Sequence, residues 1–301
     1  MNTPLSRRAF LGSAAAATLA AAGSSAEIPK SSGQARLFPG CCAYSYAQYL
    51  SNGRMTMEDF IRRAVELGLH GVDMTVYWMK SKEPAYLLSL RELAFRNGLP
   101  FSGTAIRAST VEPDAAKRAG ILEDIKSWVD ATAVLGAPHI RVFAGKLPDG
   151  ATLQQGIAWT VEIMKRACDY SAKHGIVLGL DVHAGITQRA ADCLEILRQV
   201  DSPYAGINLD IGNFLGDTED ERLTQVEMCA PYATHTHIKH WYPAGGPAID
   251  LDRVWRIFAH AGYKGYMSAE WEPHVKGDAA ATGVPSLVEE IKTLCRKYST
   301  A

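Results

Sequence analysis

A chain that alternates strand and helix patterns over most of its length must bury its strands in a parallel sheet, because each helix carries the chain back across the sheet to start the next strand. This chain does so eight times between Leu37 and Tyr298. Strand-like runs are read at 37–46 (a strand and its loop), 72–77, 100–106, 139–143, 176–180, 204–209, 233–238 and 263–269. Helical patterns follow them at 57–67, 86–96, 114–135, 152–174, 188–200, 219–228, 252–261 and 284–298. The first helix shows the logic: Phe60, Ile61, Ala64, Val65 and Leu67 share an apolar face, and Thr56 stands as N-cap with Asp59 three residues on. Eight βα units in a chain of this length predict an α/β fold, a closed (β/α)8 TIM barrel in a single domain spanning residues 37–301. An open dinucleotide-binding sheet would carry G-x-G-x-x-G after its first strand, and none is present there.

Four late stretches lie at or just after strand ends: Gly179-Leu-Asp-Val-His183, Asn208-Leu-Asp-Ile-Gly-Asn213, His235-Thr-His-Ile-Lys239 and Ser268-Ala-Glu-Trp-Glu272. They recur about one βα unit apart. Strand C-termini of a barrel converge on one face, and that face carries the chemistry. Residues two apart on a strand point to one side. Asp181, Asp210, His237 and Glu270 are therefore expected to hold one divalent metal. Three carboxylates and an imidazole form an oxygen-rich set, which suits Mn2+ first, with Mg2+, Co2+ and Zn2+ compatible. A metal of this kind polarises a carbonyl and stabilises the enediolate formed when an adjacent C–H is deprotonated. Asp181 and Glu270 are the expected acid–base pair and Lys239 the stabiliser of the developing oxyanion. His183, Asn213, Arg141 and Trp241 are the expected substrate contacts. Each has an alternative: Arg141 as an internal salt bridge, Trp241 as packing alongside Tyr77, Trp78 and Trp271, and Asp181 as a helix cap. His235 is read as structural, with a ligand role in place of His237 as its alternative.

Charge is nearly balanced, with 31 basic and 32 acidic residues, and no basic track points to nucleic acid. The first 26 residues read as a signal peptide: Arg7-Arg8 before Ala-Phe-Leu, an apolar run from Ser13 to Ala22, and Ser24-Ser-Ala26 as cleavage site. The apolar run is too short for a stable membrane anchor. The arginine pair resembles a twin-arginine signal, which implies the twin-arginine export machinery as partner and a periplasmic or secreted protein. Residues 27–36 read as a linker. Of six cysteines, 168, 193 and 295 fall on helical patterns as small buried groups, and disulfides are permitted but not required. The oligomeric state is open, a homo-oligomer included.

Residues 66–73, 135–143, 206–210, 235–239 and 262–265 before Glu270 carry a resemblance to the xylose-isomerase-like TIM-barrel superfamily and its sugar phosphate isomerase/epimerase family. That group includes D-tagatose 3-epimerase, hydroxypyruvate isomerase and the endonuclease IV family. The resemblance implies a metal held by Glu, Asp, His and Glu from the last four strands, matching Asp181, Asp210, His237 and Glu270, with the two outer carboxylates as acid and base. This chain departs at Asp181, one methylene shorter than Glu, and at Asn213, where epimerases often carry a substrate-binding His. The expected activity is isomerisation or epimerisation of a free, non-phosphorylated sugar or keto-sugar. The alternative is a 3-keto-glycoside lyase or hydratase using the same enolate chemistry.

Overall fold

A computed structural model of the chain describes residues 30–275 and 279–299. The export signal assigned to residues 1–26 lies outside them. The strands are β1 Arg36–Cys42, β2 Gly71–Thr75, β3 Phe101–Ser109, β4 His139–Phe143, β5 Val177–Asp181, β6 Ala205–Asp210, β7 Ala233–Ile238 and β8 Lys264–Ala269. They pair in sequence order, all parallel, and close as a barrel. Closure is made by β8 on β1, from Arg36 opposite Lys264 to Cys41 opposite Ala269. The (β/α)8 expectation holds.

The helices are α1 Ala47–Ser51, α2 Met57–Glu66, α3 Pro84–Arg96, α4 Ala115–Leu135, α5 Leu153–Ser171, α6 Ala190–Val200, α7 Glu219–Cys229, α8 Leu251–His260 and α9 Ala280–Tyr298. Their starts are written in side chains that satisfy the free N–H groups of a first turn. Thr56, Thr152 and Thr218 each make a reciprocal capping box, with Asp59, Gln155 and Glu221. Asp114 and Asp250 cap α4 and α8 alone. The apolar faces of these helices cover the outside of the barrel: Phe60, Leu90, Val129, Met164, Ile196, Val226, Trp255 and Ile291 are all buried. All six cysteines are free and buried. No described helix is long and apolar enough to cross a membrane.

The structure differs locally from the sequence reading in three places. Residues 76–78 form a 3-10 turn, not the end of β2. The β2–β3 register stops at Thr75 opposite Ala105, and the Trp78 indole donates to Ser51 Oγ at 3.0 Å, drawing the chain off the sheet. Helix α1, five residues long, is too short to show a helical period. Helix α9 starts a turn earlier than its periodicity suggests. Gly283 lies there flush against the Trp271 indole, and a Cβ would collide with the ring.

Candidate active site at the C-terminal mouth

The interior of this barrel is polar where such interiors are usually filled by Val, Ile and Leu. β7 is not a neighbour of β3 or β2, so contacts between their side chains must run through the barrel. His235 Nε2 lies 3.0 Å from Ser102 Oγ, and His237 Nε2 lies 3.4 Å from Asp73 Oδ2. On β4, His139 stacks on His235 with ring centres 5.1 Å apart, and Arg141 stands 3.9 Å from Asp181. His235 is thus placed as part of the barrel's filling. Burial keeps both rings neutral: His235 is pulled down to about 4 and His139 well below the usual imidazole range.

Above this layer, β5 to β8 deliver the four expected ligand residues. Asp181 and Asp210 are the last residues of β5 and β6, His237 is the penultimate residue of β7, and Glu270 follows β8 directly. All four are buried. His237 and Glu270 converge, with Nδ1 and Oε1 3.3 Å apart. With the Cys42 thiol they form one group whose donor atoms lie within 4.8 Å of one another. The other two carboxylates are engaged elsewhere. Asp181 Oδ1 accepts from the Asn208 amide at 2.6 Å, and its second oxygen faces Arg141 and His183. Asp210 accepts from Gly212 N at 2.9 Å and from Asn213 Nδ2 at 2.7 Å. The Lys239 ammonium stands between Asp210 and Glu270, at 3.3 and 2.9 Å, and reaches Glu272 at 3.1 Å.

The electrostatics separate the members. Burial works against charge on Glu270, but His237 and Lys239 outweigh it and hold the carboxylate well below its ordinary range. Burial also works against the charged imidazole of His237, yet Glu270, Asp73 and Asp181 lift it to about 9. Asp181 is raised, by burial first, against the pull of Arg141. Burial pushes Asp210 up too, with Lys239 pulling it down and Glu270 adding to the rise. Carboxylates driven apart in this way are what acid–base chemistry uses.

The site fits a cation on its own geometry. The Asn208 amide nitrogen donates to Asp181 Oδ1 at 2.6 Å and lies 3.3 Å from His237 Nδ1. A neutral His237 would offer a lone pair at Nδ1, facing the lone pairs of Glu270 Oε1, and the rise of its pKa to about 9 places a proton there in the metal-free site. Two acceptors at that separation repel unless a proton or a metal ion lies between them.

The expected substrate contacts divide. His183 is at the mouth, its side chain 47% exposed and 3.8 Å from Asp181. Asn213 ties Asp210 to the Val182 carbonyl. Arg141 is buried, donating to Tyr77 OH and the Ile106 carbonyl, so the internal ion pair describes it. Trp241 stacks on His274 at 4.2 Å and lines a cavity of about 600 Å3 with Trp271 and Glu290; that lining includes none of the four ligand residues. Sequence reasoning gave Asp73 and Cys42 no place in the site, and read Tyr77 only among the aromatics near the strand ends. Asp73 closes β2's Gly71-Val-Asp, the same pattern as Gly179-Leu-Asp on β5, and that echo was the available signal.

Comparison with known proteins agrees with this architecture. A match to the xylose isomerase-like TIM barrel spans residues 61–295. The chain belongs to that family. Among solved structures, a D-psicose 3-epimerase superposes with TM-score 0.71 at 16% identity, over 88% of this chain and 100% of that one. The 3-keto-D-glucoside 4-epimerase of E. coli gives 0.68 at 15%, over 86% and 100%. A xylose isomerase domain protein from Planctomyces limnophilus gives 0.66 at 15%, over 89% and 100%. At such identity the likeness is one of fold. The C-glycoside deglycosidase alpha subunit of Arthrobacter globiformis is 34% identical over 70 residues, which is 22% of this chain. The matched stretch spans only 20% of that subunit.

Proposed function

We propose that this member of the family is a divalent-metal-dependent sugar isomerase or epimerase, moving a proton at a carbon beside a carbonyl of a non-phosphorylated sugar or keto-sugar. The observation that carries the reading is the buried approach of Glu270 to His237, which calls for a positive charge between them. Asp181, Asp210, His237 and Glu270 would hold the metal, Mn2+ being the first choice for so oxygen-rich a set. When bound it supplies Lewis-acid polarisation of the substrate carbonyl. Glu270, kept ionised, takes the proton. Asp181, raised by burial, returns one from the opposite side. Lys239 donates to the oxygen on which charge develops. His183, half exposed at the rim, hydrogen-bonds a sugar hydroxyl. The signal peptide expected at residues 1–26 favours a substrate met outside the cytoplasm, where phosphorylated sugars are scarce.

The stretch shared with the C-glycoside deglycosidase subunit favours a second reading, a 3-keto-glycoside lyase. The same deprotonation beside the carbonyl would there expel the group at the β carbon with its bonding electrons. One experiment tests both. Bound metal is measured in the wild type and in the Asp210→Ala, His237→Ala double variant, and solvent deuterium incorporation is followed on free ketoses and 3-keto-glycosides. Stoichiometric metal lost in the variant, with metal-dependent exchange, is expected; release of the aglycone selects the lyase. A wild type that takes up neither Mn2+, Co2+ nor Zn2+ sinks both readings.

A further inference from the structure

We propose that Asp73 is the positioning residue of the site: its carboxylate takes the Nε2 hydrogen of His237 and so turns the Nδ1 lone pair toward Glu270 and an incoming cation. The inference rests on the metal reading above.

Asp73 lies in the middle of β2, completely buried. Between β2 and β7 the barrel interposes β1 and β8, so the 3.4 Å approach of Asp73 Oδ2 to His237 Nε2 crosses the interior. A neutral imidazole carries one hydrogen, on one nitrogen or the other. When a cation takes the Nδ1 side, which faces Glu270, that hydrogen is left on Nε2. On Nε2 it meets the Asp73 carboxylate. Asp73, behind the ring, therefore holds the tautomer that a cation at Nδ1 requires. Asp73 is free to do this. Its second oxygen, Oδ1, is buried and has no hydrogen-bond partner among the described residues. The neighbouring His235 Nδ1 is also without one, so no stronger donor draws the carboxylate away. An anion behind the ring also makes the imidazole a better electron donor, the arrangement by which a carboxylate backs a metal-binding histidine.

The test is metal affinity and ring protonation, not turnover. Metal-stripped wild type, Asp73→Asn and Asp73→Ala are titrated with Mn2+ by calorimetry. Asp73→Ala is expected to weaken binding about 10- to 100-fold. Asp73→Asn keeps an acceptor but no charge, and should fall in between. In parallel, 15N NMR of histidine-labelled, Zn2+-loaded protein should show His237 protonated at Nε2 in the wild type, with that long-lived proton lost in Asp73→Ala. Unchanged Mn2+ affinity and an unchanged His237 spectrum in the variants would overturn the proposal. If Asp73→Ala does not fold, Asp73→Asn decides by the same two measurements. Absence of Mn2+ binding in the wild type, equal to that of His237→Ala, is a different failure: it removes the metal site and this proposal with it.

Discussion

At the scale of single residues, Lys239 is the group on which the mouth turns. Its ammonium is buried between Asp210 and Glu270 and offsets the charge of both. Removing one partner from such a network leaves buried charge without compensation. Lys239→Met should therefore lower the unfolding free energy of the metal-stripped protein by about 3–5 kcal/mol in urea. Because the same ammonium occupies ground between Asp210 and Glu270, the variant should also bind Mn2+ more tightly than wild type. Equal stability and equal affinity in the two proteins would mean that Lys239 neither supports the mouth nor competes for it. Asp181 is the residue where sequence pattern and contacts part company. The strand-end position was legible, but the Asn208 amide and Arg141 beside it belong to other strands, and only their approach shows how firmly Asp181 is held.

At the scale of elements, helix starts were written locally and strand contents were not. The Thr152–Gln155 box at α5 is made by residues three apart, so its energy is local as well. Thr152→Ala should cost about 1 kcal/mol and leave metal affinity unchanged. Gly179 in β5 is a contrasting case. Its missing side chain leaves room for the His139 ring of the adjacent strand, and a Cβ there would strike that ring. Gly179→Ala should cost about 1–3 kcal/mol by overpacking, and should also disturb Asp181 two residues along the same strand. Denaturation curves of the two variants beside a Mn2+ titration check the contrast. If Gly179→Ala left both stability and Mn2+ affinity at wild-type values, the packing argument would fail.

At the scale of the whole molecule, the polar barrel interior ties stability to pH. His139 is held neutral by burial, with a pKa well below that of an exposed histidine. Above about pH 6.5 the ring is neutral in both folded and unfolded chains and makes no difference. As pH falls below that, the unfolded chain takes up a proton that the folded chain refuses, so stability drops. The loss per histidine is at most about 1.4 kcal/mol per pH unit. His139→Leu should flatten the fall in unfolding free energy between pH 6.5 and 5 by up to that slope. Parallel wild-type and variant curves would show that the ring is protonated in the folded barrel.

Legible in the chain alone were the number and order of the βα units, the Thr56 cap that starts α2, and the strand ends at or beside which Asp181, Asp210, His237 and Glu270 stand. These follow from periodicity and from interactions a few residues long, which are present in the chain before it folds. The tertiary structure alone decided which of those groups meet. Asp73 reaches His237 from β2, Cys42 joins Glu270 from β1, Lys239 inserts between two carboxylates, and Trp241 turns to a separate cavity. Such contacts join residues that closure of the barrel brings together across 164 or 228 positions of sequence. A burial that removes water then fixes their charges, and no local pattern carries that information.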